Sequence, residues 1–239
     1  MTKLLYQTDS YLKKCSAEIT KVVAEGVVLN QTVLYPGGGG QPCDIGVLTD
    51  RTNKRPRQVS GLKRIDGEIV HLCEMESELK AGESVEVEIT WPHRYQLMRT
   101  HTAMHILCGV VWRDYGAQVT GGNMTPCRGR MDFEFEKMQA ELVHEIEQKI
   151  NAEVQATRPV QVKILPRNEA FQIPDLIRTK INLLPPHIAE VRTVEIVGLD
   201  LQADGGTHVA NTSEVGPMRI IEYKSKGRIN KRLVVELEP

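Results

Sequence analysis

The apolar pattern of this chain changes at Trp91, and this change limits the folds open to it. Before Trp91, short runs rich in β-branched residues alternate with turn signals, as in KVVAE, GVVLN and SVEVEIT. Between two such runs, Asp66 and Gly67 predict a hairpin turn. Many short strands with little helix predict a small β-barrel, closed or nearly closed, over residues 1–90.

After Trp91 the apolar residues recur at helical spacing. Pro92 suits the first turn of a helix, and Gly116 predicts its end. A strand with the sequence RGRMDFEF follows, and then a second helix over residues 137–156. Its apolar face is expected to carry Leu142, Ile146, Ile150 and Val154. Helices packed on a mostly antiparallel sheet predict an α+β domain over residues 91–239.

Composition excludes several classes of protein. With 41% hydrophobic and 26% charged residues, the 239-residue chain is typical of a soluble globular protein. It has no apolar run long enough for a membrane span and no secretory signal at its start, which predicts a cytoplasmic location without a membrane partner. The five cysteines are scattered and odd in number, which argues against a disulfide framework.

A net charge of −1 gives no overall nucleic-acid signal, so RNA binding would need a local basic segment. The C-terminal part of the chain has one. Its candidate RNA-contacting residues are Lys224, Lys226, Arg228, Lys231 and Arg232. The same residues also fit a solvated edge strand that lysines keep soluble, and charge alone does not decide between the two interpretations.

Two sequence elements carry the residue types of a metal site. His101 and His105 are four residues apart on the predicted helix, so their side chains leave from one face. Alone, such a pair is more often an ordinary surface or core pair. The second element is a glycine turn in which Asp204 and His208 could converge on the same point. Together they predict a four-group zinc shell, although Asp204 could also merely brace the turn.

These elements resemble a known family. HTAMH followed about a hundred residues later by DGGTHVANTSEVG is similar to the editing domain shared by alanyl-tRNA synthetases and the free-standing AlaX proteins. Upstream, TVLYPGGGGQPCDIG resembles the glycine-rich motif of the barrel that precedes this domain in the family. The likeness covers nearly the whole chain and matches the longer AlaX form.

One position departs from the family pattern. The family has HxxxH followed by CxxxH, and Asp204 stands where the cysteine ligand is expected. Carboxylate oxygen binds zinc, but thiolate is the softer donor and suits zinc better. Three interpretations remain open: Asp204 binds the metal, orients a ligand or water beside it, or leaves a site of three histidines.

The resemblance implies a function. A chain of this kind would use Zn²⁺ to deacylate mischarged tRNA(Ala), with serine and then glycine as the expected wrong amino acids. The chain is too short for an aminoacylation domain, so editing would occur in trans, and hydrolysis would need no ATP. The oligomeric state is left open.

Several residues around the turn are catalytic candidates. Gly205 and Gly206 could offer backbone N–H groups to the oxyanion of the tetrahedral intermediate. Gln202 and Thr207 could hydrogen-bond to substrate or water. Zinc could activate water, hold the substrate's amino group or polarise the ester carbonyl, and the sequence does not choose among these roles.

Substrate binding is expected to involve the glycine-rich loop as well. Its candidates are Gly39, Gly40 and Gln41, the last of which has both donor and acceptor atoms. Thr32 could pair with the hydroxyl of serine and so discriminate against alanine, or be an ordinary strand residue.

Three alternatives compete with this function. The accessory editing domain of threonyl-tRNA synthetases has a similar histidine arrangement, which would change the tRNA. A non-catalytic, metal-stabilised RNA-binding module would account for the departure at Asp204. A general metallohydrolase of small esters is the third, although the chain lacks an HExxH signature.

Overall fold

A computed structural model describes residues 1–74, 79–179, 184 and 188–239. The chain divides into two compact units. The first contains Met1–Gly38 and Pro42–Tyr95, and the second contains Gly39–Gln41 and Gln96–Pro239. The short segment from the glycine-rich loop therefore belongs to the second unit, although residues on both sides of it belong to the first.

The first unit is built from strands. These are β1 (Lys3–Leu4), β2 (Lys14–Val23), β3 (Gly26–Leu29), β4 (Gln31–Thr32), β5 (Gly46–Asp50), β6 (Pro56–Ile65), β7 (Glu68–Cys73) and β8 (Ser84–Ile89). A short 3-10 helix, Leu5–Gln7, follows β1. Six strands pair in a closed ring, in the order β2-β3-β7-β6-β5-β8. Asp66 and Gly67, both with positive φ, join β6 to β7 as the predicted hairpin turn.

Alternation along the barrel strands fills its interior with apolar side chains. Ile19, Val27, Leu48, Val59 and Val87 are all buried there. Arg94 is also buried in this unit, where its guanidinium pairs with Asp44 and donates to the carbonyl of Val33 at 2.7 Å. A buried charge of this kind is tolerated because it is paired and hydrogen-bonded.

The second unit mixes helices and strands. Its elements are α1 (Trp91–Tyr115, which begins in the first unit), β9 (Val119–Thr125), β10 (Arg128–Glu134), α2 (Ala140–Gln155), β11 (Val160–Pro166), α3 (Arg167–Ala170), β12 (Glu190–Ile196), β13 (Asp200–Ala203), β14 (Met218–Ser225) and β15 (Asn230–Leu237). The strands form two antiparallel sheets, in the orders β14-β15-β10-β9 and β11-β12-β13. A 3-10 turn, Thr212–Val215, lies between β13 and β14.

The long helix α1 ends as the sequence predicts. Gly116 follows its last residue with φ of +63°, a conformation that favours glycine at a helix end. From Thr100 to Val111 every residue is buried, so this part of the helix lies in the core on all sides. Among the described residues, no helix is both long and apolar enough to span a membrane.

Helix α2 begins three residues later than predicted and turns a slightly different face to the core. Ile146, Ile150 and Val154 are buried as expected, but Val143 takes the place that the sequence assigned to Leu142. Asn151 of α2 exchanges two hydrogen bonds with the backbone of Met218 on β14, at 2.8 and 2.9 Å. All five cysteines are free, which agrees with the expectation of no disulfide.

Candidate metal centre

Helix α1 supplies two buried imidazoles to one point of the second unit. His101 and His105 lie one helical turn apart, with ring centroids separated by 5.1 Å. Because every residue around them in this part of the helix is buried, both rings are held inside the fold rather than displayed on a surface.

The turn that follows β13 brings the other two groups. The ring of His208 stacks on that of His101, with centroids 4.2 Å apart. Asp204 Oδ1 lies 3.5 Å from Nε2 of His101, and Asp204 Oδ2 lies 3.1 Å from Nε2 of His208. One ligand atom from each of the four residues lies within 4.8 Å of all the others. The structure thus brings together the four residues that the sequence singles out as a metal shell.

The outer nitrogen of each ring has a partner that fixes its orientation. His101 Nδ1 lies 2.9 Å from Oε1 of Gln41, and His105 Nδ1 lies 3.0 Å from Oδ2 of Asp200. Both oxygens face these nitrogens as acceptors, so each Nδ1 carries the proton and each Nε2 keeps a free lone pair. Nδ1 of His208 lies 3.1 Å from the hydroxyl of Thr102.

Burial controls the charge of the cluster. It lowers the pKa of His101 to about 4 and holds the pKa of His208 well below its usual value, so both rings are neutral near pH 7. Burial also acts to lower the pKa of His105, but the hydrogen bond and charge of Asp200 outweigh it and raise that pKa. For Asp204, attraction to the imidazoles outweighs burial and lowers the pKa well below its usual value.

These features fit a divalent metal ion. Three imidazole nitrogens and one carboxylate oxygen form a donor set that zinc and its neighbours in the first transition row use. The contacts at each Nδ1 are the outer hydrogen bonds that orient metal-binding histidines in proteins. The group formed by His101, His105, Asp204 and His208 can therefore hold a metal ion.

The two glycines of the turn differ from each other. The N–H of Gly206 donates to Asp204 Oδ2 at 2.7 Å, so it is used inside the turn and is not available to an oxyanion as the sequence predicted. A Cβ on Gly206 would lie 2.2 Å from Cε1 of His101, which explains the need for glycine there. Gly205 is exposed, with open space where a Cβ would lie.

Gln202 and Thr207 support the cluster from outside. Nε2 of Gln202 donates to Oδ2 of Asp200 at 2.7 Å, and so helps to hold the carboxylate that orients His105. Thr207 is fully buried, and its hydroxyl accepts a hydrogen bond from Nε2 of Gln41 at 2.8 Å. Because that bond occupies the hydroxyl away from any surface, the prediction that Thr207 contacts substrate or water is not supported.

Gln41 also has a structural task. It is 2% exposed, and its Oε1 accepts from both His101 Nδ1 and the N–H of Thr207, the latter at 3.0 Å. Two bonds fill the usual capacity of that oxygen. The sequence assigned Gln41 to substrate polar groups, whereas the structure shows it orienting a histidine.

A cavity of about 770 Å³ opens beside the cluster within the second unit. Gly39 and Gly40 line it, as do Gln202 and the ligand atoms of His101, His105 and Asp204. Gly40 accepts a backbone hydrogen bond from Met124, and a Cβ there would meet the carbonyl oxygen of Gly122 at 3.0 Å. The opposite wall is apolar and is formed by Met104, Met131, Leu176 and Leu184.

Thr32 lies in the first unit and is fully buried. Its hydroxyl contacts Nε2 of His71 at 2.8 Å and accepts from the N–H of Leu34 at 3.1 Å. These bonds give Thr32 a role inside the barrel. Recognition of serine by this hydroxyl stays a prediction.

The five cations of the C-terminal segment fall into two groups. Lys231 is 6% exposed and donates to two backbone carbonyls, and Arg232 forms a two-point ion pair with Asp132 at 2.7 and 2.8 Å. Both are therefore used within the fold, which corrects their assignment to RNA. The other three are exposed at the β14–β15 hairpin and are called here the hairpin cations: Lys224, Lys226 and Arg228.

Two family models match the chain. The model for tRNA synthetases class II (A) matches residues 6–93. The model for the threonyl and alanyl tRNA synthetase second additional domain matches residues 191–234, a stretch that includes Asp204 and His208.

Curated relatives match the chain over its full length. The alanyl-tRNA editing protein AlaX-M of Saccharolobus solfataricus is 35% identical over 100% of both chains. The AlaX-M protein of Methanosarcina barkeri is 36% identical over 99% of both. The chain belongs to the AlaX-M family. It is also similar to an alanine–tRNA ligase of Saccharolobus islandicus, 33% identical over 93% of this chain and 25% of the ligase.

In this AlaX-M chain, three residues around the metal group were not predicted as site residues. Asp200 could have been found, because it alternates with Gln202 and Asp204 along β13 and therefore shares their face. Thr102 lies inside the HTAMH run but showed no partner in the sequence. Arg192, whose Nη1 donates to the carbonyl of Asp204 at 2.9 Å, is brought there only by the pairing of β12 with β13.

Proposed function

We propose that this chain is a zinc-dependent hydrolase that removes serine, and to a lesser extent glycine, from mischarged tRNA(Ala) in trans. The observation that carries the proposal is the group of His101, His105, Asp204 and His208 at the edge of a cavity. The name printed for the full-length relatives, alanyl-tRNA editing protein, supports tRNA(Ala) as the partner. Zinc is the metal most consistent with tetrahedral nitrogen-rich sites of this kind.

The two parts of the chain would have different tasks. We assign residues 91–239 to the catalytic editing domain and residues 1–90 to an N-terminal barrel domain. The location of all four metal-group residues in the second unit supports this division. So does the contribution of Gly39 and Gly40 to the cavity, because it gives the loop between barrel strands a reason to belong to the catalytic unit.

Bound zinc would supply a Lewis acid to the hydrolysis of the aminoacyl ester. The chain's own residues would hold and orient the reactants. Gln41, Asp200 and Thr102 keep the three imidazoles in place, so the site needs little reorganisation when substrate arrives. Gly205 is the remaining candidate donor to the oxyanion, because it is exposed at the cavity and the N–H of Gly206 is used by Asp204.

The cavity is much larger than a serine side chain needs. Its apolar wall of Met104, Met131, Leu176 and Leu184 suits the nucleoside that carries the amino acid. The hairpin cations would contact phosphates of the tRNA, because they are exposed and project from one hairpin. Thr32 remains our candidate for recognising the hydroxyl of serine.

A deacylation assay tests the proposal. Seryl-, glycyl- and alanyl-tRNA(Ala) would be incubated with the zinc-loaded chain without ATP, because ester hydrolysis consumes only water. We expect rapid loss of serine, slower loss of glycine, little loss of alanine, and inhibition by a chelator that zinc reverses. His105→Ala should abolish turnover. His144→Ala is the matched control, because His144 is an exposed histidine on α2.

Other outcomes would select the alternatives. Binding of tRNA with zinc present and no turnover would favour a non-catalytic RNA-binding module. Preference for seryl-tRNA(Thr) over seryl-tRNA(Ala) would favour an editor of the threonyl type. Full activity in a metal-free His105→Ala protein would remove the metal mechanism.

A further inference from the structure

Asp204 is the residue at which this chain departs from the family pattern, and the structure holds its carboxylate firmly. Oδ2 accepts the N–H of Gly206 at 2.7 Å, and the carbonyl oxygen of Asp204 accepts Nη1 of Arg192 at 2.9 Å. The carboxylate therefore faces the imidazoles in one orientation, with Oδ1 toward His101 and Oδ2 toward His208. An acid that merely braced the turn would not need both of its oxygens within the cluster.

The group contains no sulfur among the described residues. Cys108 lies on the same helix as His105, but its thiol accepts a hydrogen bond from Nε2 of Gln202 at 3.4 Å. Burial raises the pKa of this thiol well above its usual value, so it stays protonated. A neutral, hydrogen-bonded thiol is a poor metal ligand, which leaves nitrogen and oxygen as the donors.

We propose that Asp204 makes this centre a nitrogen-and-oxygen site that selects borderline and hard divalent ions, such as Zn²⁺, Co²⁺ and Mn²⁺, against soft Cd²⁺. The inference rests on the proposed function, since it takes the four residues as the metal ligands. Thiolate favours soft ions, whereas carboxylate favours harder ones. The longer side chain of aspartate is partly offset by its shorter metal bond, about 2.0–2.2 Å for oxygen against about 2.3 Å for sulfur.

Metal competition tests this inference without any measurement of catalysis. Metal-free protein would be titrated with Zn²⁺ and Cd²⁺ against a chromophoric chelator, and the ratio of the two dissociation constants compared between parent and Asp204→Cys. We expect the variant to shift this ratio toward Cd²⁺ by at least about tenfold. Cys108→Ala is the control and should leave the ratio unchanged. The same ratio in parent and Asp204→Cys would overturn the inference.

A second variant keeps the inference testable if Asp204→Cys does not fold. Asp204→Asn keeps the shape of the side chain and removes its charge, so binding of Mn²⁺ should weaken more than binding of Zn²⁺. Equal losses for the two ions would overturn the inference. Seryl-tRNA deacylation by the zinc-loaded parent, measured separately, shows whether the proposed function stands, whichever ion the site prefers.

Discussion

Gln41→Leu is the change that best separates the structural role of this residue from the role that the sequence assigned to it. Gln41 makes three short hydrogen bonds from a buried position, one with His101 and two with Thr207. Leucine has a similar size and makes none of them. The substitution would leave two buried donors unpaired, the Nδ1–H of His101 and the N–H of Thr207.

The size of the effect follows from those two donors. An unpaired buried donor costs about 1–3 kcal/mol, so the free energy of unfolding of the metal-free chain should fall by about 2–6 kcal/mol. Zinc affinity should fall about 10–100-fold, because His101 loses the partner that fixes its tautomer and orientation. Gln41→Glu is the matched control: it keeps the oxygen that accepts both N–H groups, and it should retain most of the zinc affinity.

Two measurements decide the question: a chelator-buffered zinc titration, and urea unfolding of the metal-free protein. The reasoning would be refuted if Gln41→Leu bound zinc as tightly as the parent while its ratio of serine to alanine hydrolysis changed. That result would return Gln41 to the substrate-binding role predicted from the sequence.

Three further predictions address other parts of the molecule. Replacing all three hairpin cations with glutamine should weaken tRNA binding and reduce its salt dependence by roughly one unit of slope for each phosphate that the protein no longer neutralises, whereas Lys231→Gln should not alter the slope because Lys231 is buried. Thr32→Val should lower the ratio of serine to alanine hydrolysis by roughly ten- to a hundredfold if this hydroxyl recognises serine; an unchanged ratio would leave Thr32 as a partner of His71 alone. Burial lowers the pKa of His71 from 6.5 to about 4, so between these values the unfolded chain binds a proton that the folded chain does not. Stability should therefore fall by up to about 3 kcal/mol as the pH drops through this window, and urea unfolding should show a smaller loss in His71→Gln.

The local elements of the fold could be predicted because their signals are short-range. The helix from Trp91 to Tyr115 follows from apolar spacing and from Gly116, which takes the left-handed conformation at its end. The turn at Asp66 and Gly67 follows from its two residues alone. The shift from Leu142 to Val143 on α2 could not be predicted, because adjacent positions at the edge of an apolar face differ only in what packs against them.

For the metal group, the sequence by itself determined which four residues carry ligand atoms. Spacing placed His101 and His105 on one helix face, and the glycine turn placed Asp204 four residues before His208. Charge counting, in contrast, could not separate the exposed hairpin cations from Lys231 and Arg232, because the partners of those two residues are backbone carbonyls and a carboxylate distant in sequence.

Only the tertiary structure decided what surrounds the ligands. The partners of the histidines come from Gln41, Asp200 and Thr102, and Gln41 is separated from His101 by 60 positions and Asp200 from His105 by 95. A glutamine in a glycine-rich loop looks the same in sequence whether its amide meets a substrate or an imidazole. Its role is set by which groups folding buries beside it, because a buried donor must find an acceptor and the chain supplies one from wherever its path returns.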